Sequence, residues 1–182
     1  MKATTLIALS ALCLALPNCT KQTANTTSTQ VAIAALLDPF FTTQAPPSPG
    51  QIHLLRTTAK PGDAVTLTGL VMGREHLFVE GAAAFILGDR SVLNPCDEKP
   101  GDGCKTPWDA CCNSQEEHQL GTATIQLTGP DGRVLKQSLK GIHGLTELSV
   151  VTLTGTVDKA STPEAFIVNA SQVHVATRQP AK

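Results

Sequence analysis

Apolar and polar residues alternate with a period of two in several short stretches of this chain, and that alternation does most to limit the folds open to it. After Lys60-Pro61-Gly62-Asp63, residues Val65, Leu67 and Gly69 alternate with Thr66, Thr68 and Leu70, the repeat of a half-buried strand. Leu77 to Val79 and Ala83 to Leu87 read as a second strand region, stopped by Gly88-Asp89. Thr122 to Thr128 alternates again, with Ala123, Ile125 and Leu127 on one face. Its end, Gly129-Pro130-Asp131-Gly132, is a turn sequence that returns Arg133 to Leu139 as a hairpin partner. Gly141 to Leu148 has the length of one short helical bridge. Val150 to Val157 and Ala165 to Ala176 complete the strand set. The strand-rich part holds about 125 residues, enough for one core and too few for two.

Four segments carry a family resemblance. They are Gly62-Asp63-Ala64-Val65-Thr66-Leu67-Thr68-Gly69, Ala84-Phe85-Ile86-Leu87, Leu145-Thr146-Glu147-Leu148 and Val150 to Val157. Together they resemble the strand signatures of anticodon-binding-type OB domains, over roughly Thr58 to Ala176. The resemblance implies an all-β, five-stranded Greek-key barrel with a short helix before the fourth barrel strand. It also implies a cysteine-rich insertion between the second and third barrel strands. With that insert, which contains Cys104-x-Thr106-Pro107-Trp108-Asp109-x-Cys111-Cys112, the chain is similar to exported bacterial OB-fold lipoproteins. The likeness carries a fold and a compartment but no activity, because OB-folds serve many ligands. The exported haem chaperones of cytochrome c maturation share the fold, but their haem motif places a tyrosine four residues after a histidine. Here His174 is followed at that spacing by Arg178, and the chain contains no tyrosine.

The insert spans residues 90–121 and holds Cys96, Cys104, Cys111 and Cys112. In an exported protein, paired thiols ordinarily become disulfides. Thr106-Pro107-Trp108-Asp109 satisfies the rules of a helix start, with Thr106 as N-cap and Pro107 in the first position. The expected helix runs from Pro107 to about Asn113. On it the adjacent cysteines project about 100° apart, so Cys111 and Cys112 would reach Cys96 and Cys104 rather than each other. Trp108 would shield the sulfurs from the same face. The alternative chemistry is a structural Zn site of the four thiolates, with His118 available as a further ligand, or a thiol-handling centre. His118 otherwise reads as a solvated loop residue beside Glu116 and Glu117.

Residues 1–18 read as a signal peptide: Lys2 gives the positive start, and Leu6 to Leu16 is apolar except for Ser10. That run has the length of a signal core, not of a membrane span. Leu16-Pro17-Asn18-Cys19 resembles a lipobox, which implies lipid attachment at Cys19 and a membrane-anchored protein of the cell envelope or periplasm. Residues 19–51 read as a flexible tether with a possible short helix at Val31 to Leu37. Residues 52–178 form the expected domain, and 179–182 a tail. The signal peptide contains one of the fourteen basic residues and none of the fifteen acids, so the mature chain has a net charge of −2. Nucleic-acid binders usually show a basic excess, and this chain has none.

No hydrolase, metalloprotease or phosphate-loop signature is present, so the chain reads as non-catalytic and without a cofactor. OB-folds bind ligands between the loops that follow the first and fourth barrel strands. Those loops, Gly73 to His76 and Asp158 to Glu164, nominate Arg74, His76, Trp108 and Lys159 as ligand-binding candidates. Three functions follow as expectations. One is an envelope binding or structural domain whose partner is a protein or polysaccharide. The second is a metal or thiol protein centred on the insert. The third is an oligosaccharide or nucleic-acid binder using the OB face. The insert could also simply cap that face as a lid.

Overall fold

The computed structural model describes residues 35–98, 101 and 103–176. The signal peptide, Cys19, residues 20–34 of the tether and the 179–182 tail lie outside the described residues. The elements are β1 (Gly50–Gln51), α1 (Ile52–Thr58), β2 (Ala64–Leu70), β3 (Ala84–Gly88), α2 (Gln115–Gly121), β4 (Thr122–Gln126), β5 (Val150–Val157) and β6 (Ile167–Ala176).

The alternating segments become the five strands of a closed barrel. Antiparallel pairs join β2 to β3, β3 to β4 and β5 to β6, and β4 runs parallel to β6. A seven-residue antiparallel ladder, from Ala64 opposite Thr156 to Leu70 opposite Val150, then closes β5 back onto β2. The circular order β2-β3-β4-β6-β5 makes this an OB-fold-like barrel with a mixed sheet. Inward positions of every strand fill it: Leu67, Phe85, Ile125, Leu153 and Val168 are all fully buried. A register shift opposite Thr154/Gly155 leaves Ser171 as an extra residue in β6, a β-bulge. Gly155 is required there, because a Cβ would lie 2.4 Å from the Asn169 carbonyl oxygen.

Several local expectations change. The hairpin after the Gly129-Pro130-Asp131-Gly132 turn shrinks to a single bridge between Thr128 and Val134. The helix expected over Gly141 to Leu148 is one 3-10 turn, Ile142–Gly144. His143 and Leu148 there have φ of 48° and 62°, values a continuing helix does not allow. The tether is not free from residue 35 onward. Leu37 is fully buried in the barrel core, Phe41 bridges to Val173, and the Thr42 N–H donates to the Val173 carbonyl. Gly50 and Gln51 then add β1 in parallel to β2. The helix α1 was not expected from the sequence. Its buried Ile52 joins the barrel core.

Candidate functional site

The insert leaves the barrel at Asp89 and returns at Gly121, where the Asp89 N–H donates to the Gly121 carbonyl at 2.7 Å. The Asp89 side chain secures that neck. Its carboxylate accepts from the His53 and Ser91 backbone N–H groups, contacts His53 Nδ1 at 2.9 Å and accepts from the Ser91 hydroxyl at 2.6 Å. Burial works against the charge. The Ser91 and His53 hydrogen bonds nevertheless hold the carboxyl below its usual range. Aspartate, histidine and serine do not form a nucleophilic triad here. Ser91 Oγ donates to Asp89 and lies near the same His53 nitrogen that faces the carboxylate, so the ring cannot relay a proton from serine to acid.

The helix expected at Pro107 does not form. The carbonyls that would accept its first hydrogen bonds serve other segments: Pro107 accepts from Asp97, Trp108 from Gly73 and Asp109 from Cys96. Ala110 N–H completes the docking by donating to the Gly73 carbonyl at 2.8 Å. Trp108 packs against the barrel core, and its indole N–H donates to the Glu75 carbonyl at 3.0 Å. It therefore fastens the insert to the β2–β3 loop instead of shielding the sulfurs. The insert's helix starts later, at a capping box: Ser114 Oγ accepts from the Glu117 N–H, and the Glu117 carboxylate accepts from the Ser114 N–H.

That helix, α2, carries His118 inward. The residue is 5% exposed, the reverse of the solvated loop position expected for it. His118 Nε2 lies 2.9 Å from the Ala110 carbonyl, which makes Nε2 the donor. Nδ1 is buried with no hydrogen-bond partner among the described residues.

A cleft of about 570 Å³ opens between the insert and the barrel. Arg74 and His76 from the β2–β3 loop form one wall, Gln115, His118 and Gln119 of α2 another, and Glu164 of the β5–β6 loop a third, over Ile86 and Thr122. The third wall is braced: Arg56 of α1 donates to the Thr122 and Pro163 carbonyls, and Gln119 Nε2 donates to the Pro163 carbonyl. Asp158 anchors the start of the same loop. Hydrogen bonds from the Ala160 N–H, Asn169 and Gln126 hold its carboxyl below the usual range. Arg74 and His76 are exposed.

A second groove of about 440 Å³ adjoins this cleft, lined by Phe78, Trp108, Lys140 and Glu147 among others, and His76 borders both. Three of the four ligand candidates, Arg74, His76 and Trp108, thus sit together. Lys159 does not join them. It is exposed at the turn after Asp158 and lines neither space. Sequence reasoning missed Gln115, Gln119 and Glu164 as cleft residues. Ser114-x-x-Glu117 was the available signal, since it starts a helix directly after the cysteine pair.

The four insert cysteines are free thiols in the structure, so the two expected disulfides are absent from it. Cys96 Sγ and Cys111 Sγ lie 3.2 Å apart, beyond the roughly 2.05 Å of a disulfide bond. Cys104 joins them in a group whose sulfurs all lie within 4.8 Å of one another. Cys112 and His118, the other members of the expected ligand set, are not in that group. Without the helix, Cys111 and Cys112 lose the geometry that was to send them to separate partners. Burial pushes the Cys96 thiol well above its usual range, whereas hydrogen bonds with Thr106 pull Cys104 down.

Comparison with protein-family models, curated proteins and solved structures returns no match for this chain.

Proposed function

We propose that this chain is a non-catalytic, lipid-anchored protein of the cell envelope whose OB-type barrel binds an oligosaccharide. One observation carries the reading: the insert's α2 and the two barrel loops enclose a cleft instead of sealing the face. Its walls offer the donors and acceptors that hydroxyl-rich ligands need, namely the side chains of Gln115, Gln119 and His76. Arg74 makes no ion pair among the described residues and is placed for an acidic substituent. Trp108 borders the adjoining groove, where an aromatic ring can stack against a sugar face. Lipidation at Cys19 would hold the domain at the membrane, close to cell-wall glycan. The mature chain's slight negative charge supports no nucleic-acid role.

Cell fractionation and retention on immobilised cell-wall glycan test the two halves of the proposal. Cys19→Ser should move the protein to the soluble envelope fraction and abolish fatty-acid labelling. Arg74→Ala should lose glycan retention, whereas Lys159→Ala should keep it. Retention that survives Arg74→Ala and Gln119→Ala together would place binding elsewhere, and unchanged membrane association of Cys19→Ser would remove the lipid anchor.

A further inference from the structure

We propose that Cys96, Cys104 and Cys111 form a three-thiolate site for a soft monovalent metal ion of the Cu(I) type. This inference is independent of the glycan cleft. Three sulfur atoms from separate positions of the insert converge within 4.8 Å of one another. Backbone hydrogen bonds bring two of the three segments together: Cys96 N–H donates to the Asp109 carbonyl and Asp97 N–H to the Pro107 carbonyl, pinning the segment before Cys104 against the segment leading to Cys111. The latter segment is itself fixed to the barrel through Gly73. Cys104 sits on the loop that joins them, with its sulfur 3.3 Å from the Thr106 hydroxyl.

The number and type of donors select the ion. An odd set of three sulfurs does not divide into disulfides. A Cys96–Cys111 bond would leave Cys104 beside it, and Cys112, the one remaining insert thiol, lies outside the group. Structural zinc takes four ligands in a tetrahedron. The nitrogen donor that could complete one, His118, is turned to the Ala110 carbonyl. Soft thiolate ligands select Cu(I), zinc and iron–sulfur clusters, and of these a group of three sulfurs with no fourth donor among them fits Cu(I). Cys96 is buried, Cys104 half-buried and Cys111 exposed, so an ion can enter from the side of Cys111 while Cys96 excludes water behind it. Binding is a ligand exchange without electron transfer: Cu(I) leaves its carrier, and the bound thiols release their protons to solvent.

The test uses the exported Cys19→Ser chain, reduced and kept free of oxygen, titrated with Cu(I) against a chromophoric Cu(I) chelator. One Cu(I) per chain with sulfur-only, three-coordinate X-ray absorption is expected. Cys96→Ser, Cys104→Ser and Cys111→Ser should each weaken binding by more than the roughly 10- to 100-fold that loss of an outer-shell partner costs. Cys112→Ser should leave the affinity and the absorption spectrum unchanged. Circular dichroism of each variant separates a lost ligand from a lost fold. The proposal fails if the folded chain yields all its copper to the chelator or if Cys112→Ser weakens binding as much as the others. It also fails if Zn(II) is retained in preference to Cu(I), or if mass spectrometry finds a Cys96–Cys111 disulfide that persists in reductant.

Discussion

Replacing Asp89 by asparagine should unfasten the neck of the insert and destabilise the whole domain. The carboxylate is 4% exposed and serves four donor or ring contacts from two elements, His53 at the start of α1 and Ser91 in the insert. Asparagine keeps the shape and one oxygen, which can still serve one pair of these groups. Its amide then turns N–H towards the other pair, leaving at least one donor unsatisfied at about 1–3 kcal/mol and removing the charge from the remaining bonds. Such contacts share one group and do not add independently, so the expected loss is about 2–4 kcal/mol at neutral pH. For a domain of this size that lowers Tm by roughly 10 °C. Urea unfolding followed by Trp108 emission and by far-ultraviolet circular dichroism measures it. The pH dependence has a fixed sign. A carboxyl held below its unfolded value contributes stability above about pH 4 and loses it as pH falls through the folded value. The gap between wild type and Asp89→Asn should therefore narrow in acid. A loss under about 0.5 kcal/mol at pH 7, the size of an ordinary surface change, would refute the neck's role.

Two further substitutions test how the barrel is closed and what belongs to it. Gly155→Ala places a methyl group 2.4 Å from the Asn169 carbonyl oxygen and 2.8 Å from Val168 Cγ1. Backbone cannot yield there as a side-chain tip would, so a loss at or above the roughly 1–3 kcal/mol of overpacking is expected in chemical denaturation. Leu37→Ala empties a fully buried position supplied by the segment before the barrel and should cost about 2–5 kcal/mol. A loss below about 0.5 kcal/mol for Leu37→Ala would return that segment to a loose spacer.

The strands were legible because burial on one face imprints a period of two, as in Val65 and Leu67 or Ala123, Ile125 and Leu127. The order of those segments was enough to recognise an OB-type barrel and to place the insert. What remained hidden was decided by contacts distant in sequence. Thr106-Pro107 has the composition of a helix start, but Gly73 and the Cys96–Asp97 segment claim the carbonyls a helix would use. Leu37 and Phe41 belong to an apolar stretch set between polar and proline-rich residues, and its burial against the barrel, with Phe41 bridged to Val173 of β6, depends on contacts far away in sequence. His118 was misplaced because its helix was missed, although Ser114 and Glu117 mark the start. Residues of the two loops named from strand order line the cleft, Arg74 and His76 among them, whereas Trp108 lines the adjoining groove. Lys159, exposed in the same loop as Glu164, lines neither space.

The central claim, that the cleft between α2 and the two barrel loops holds an oligosaccharide, is tested most directly by nuclear magnetic resonance on the soluble Cys19→Ser chain labelled with ¹⁵N. Disaccharides released from cell wall by a muramidase serve as the probe. Saturable shifts of the His118 ring and the Gln119 side-chain amide, absent in Arg74→Ala, are the predicted result. Saturating glycan that leaves both signals in place, or shifts that map instead to the outer surface around Lys159, would contradict it.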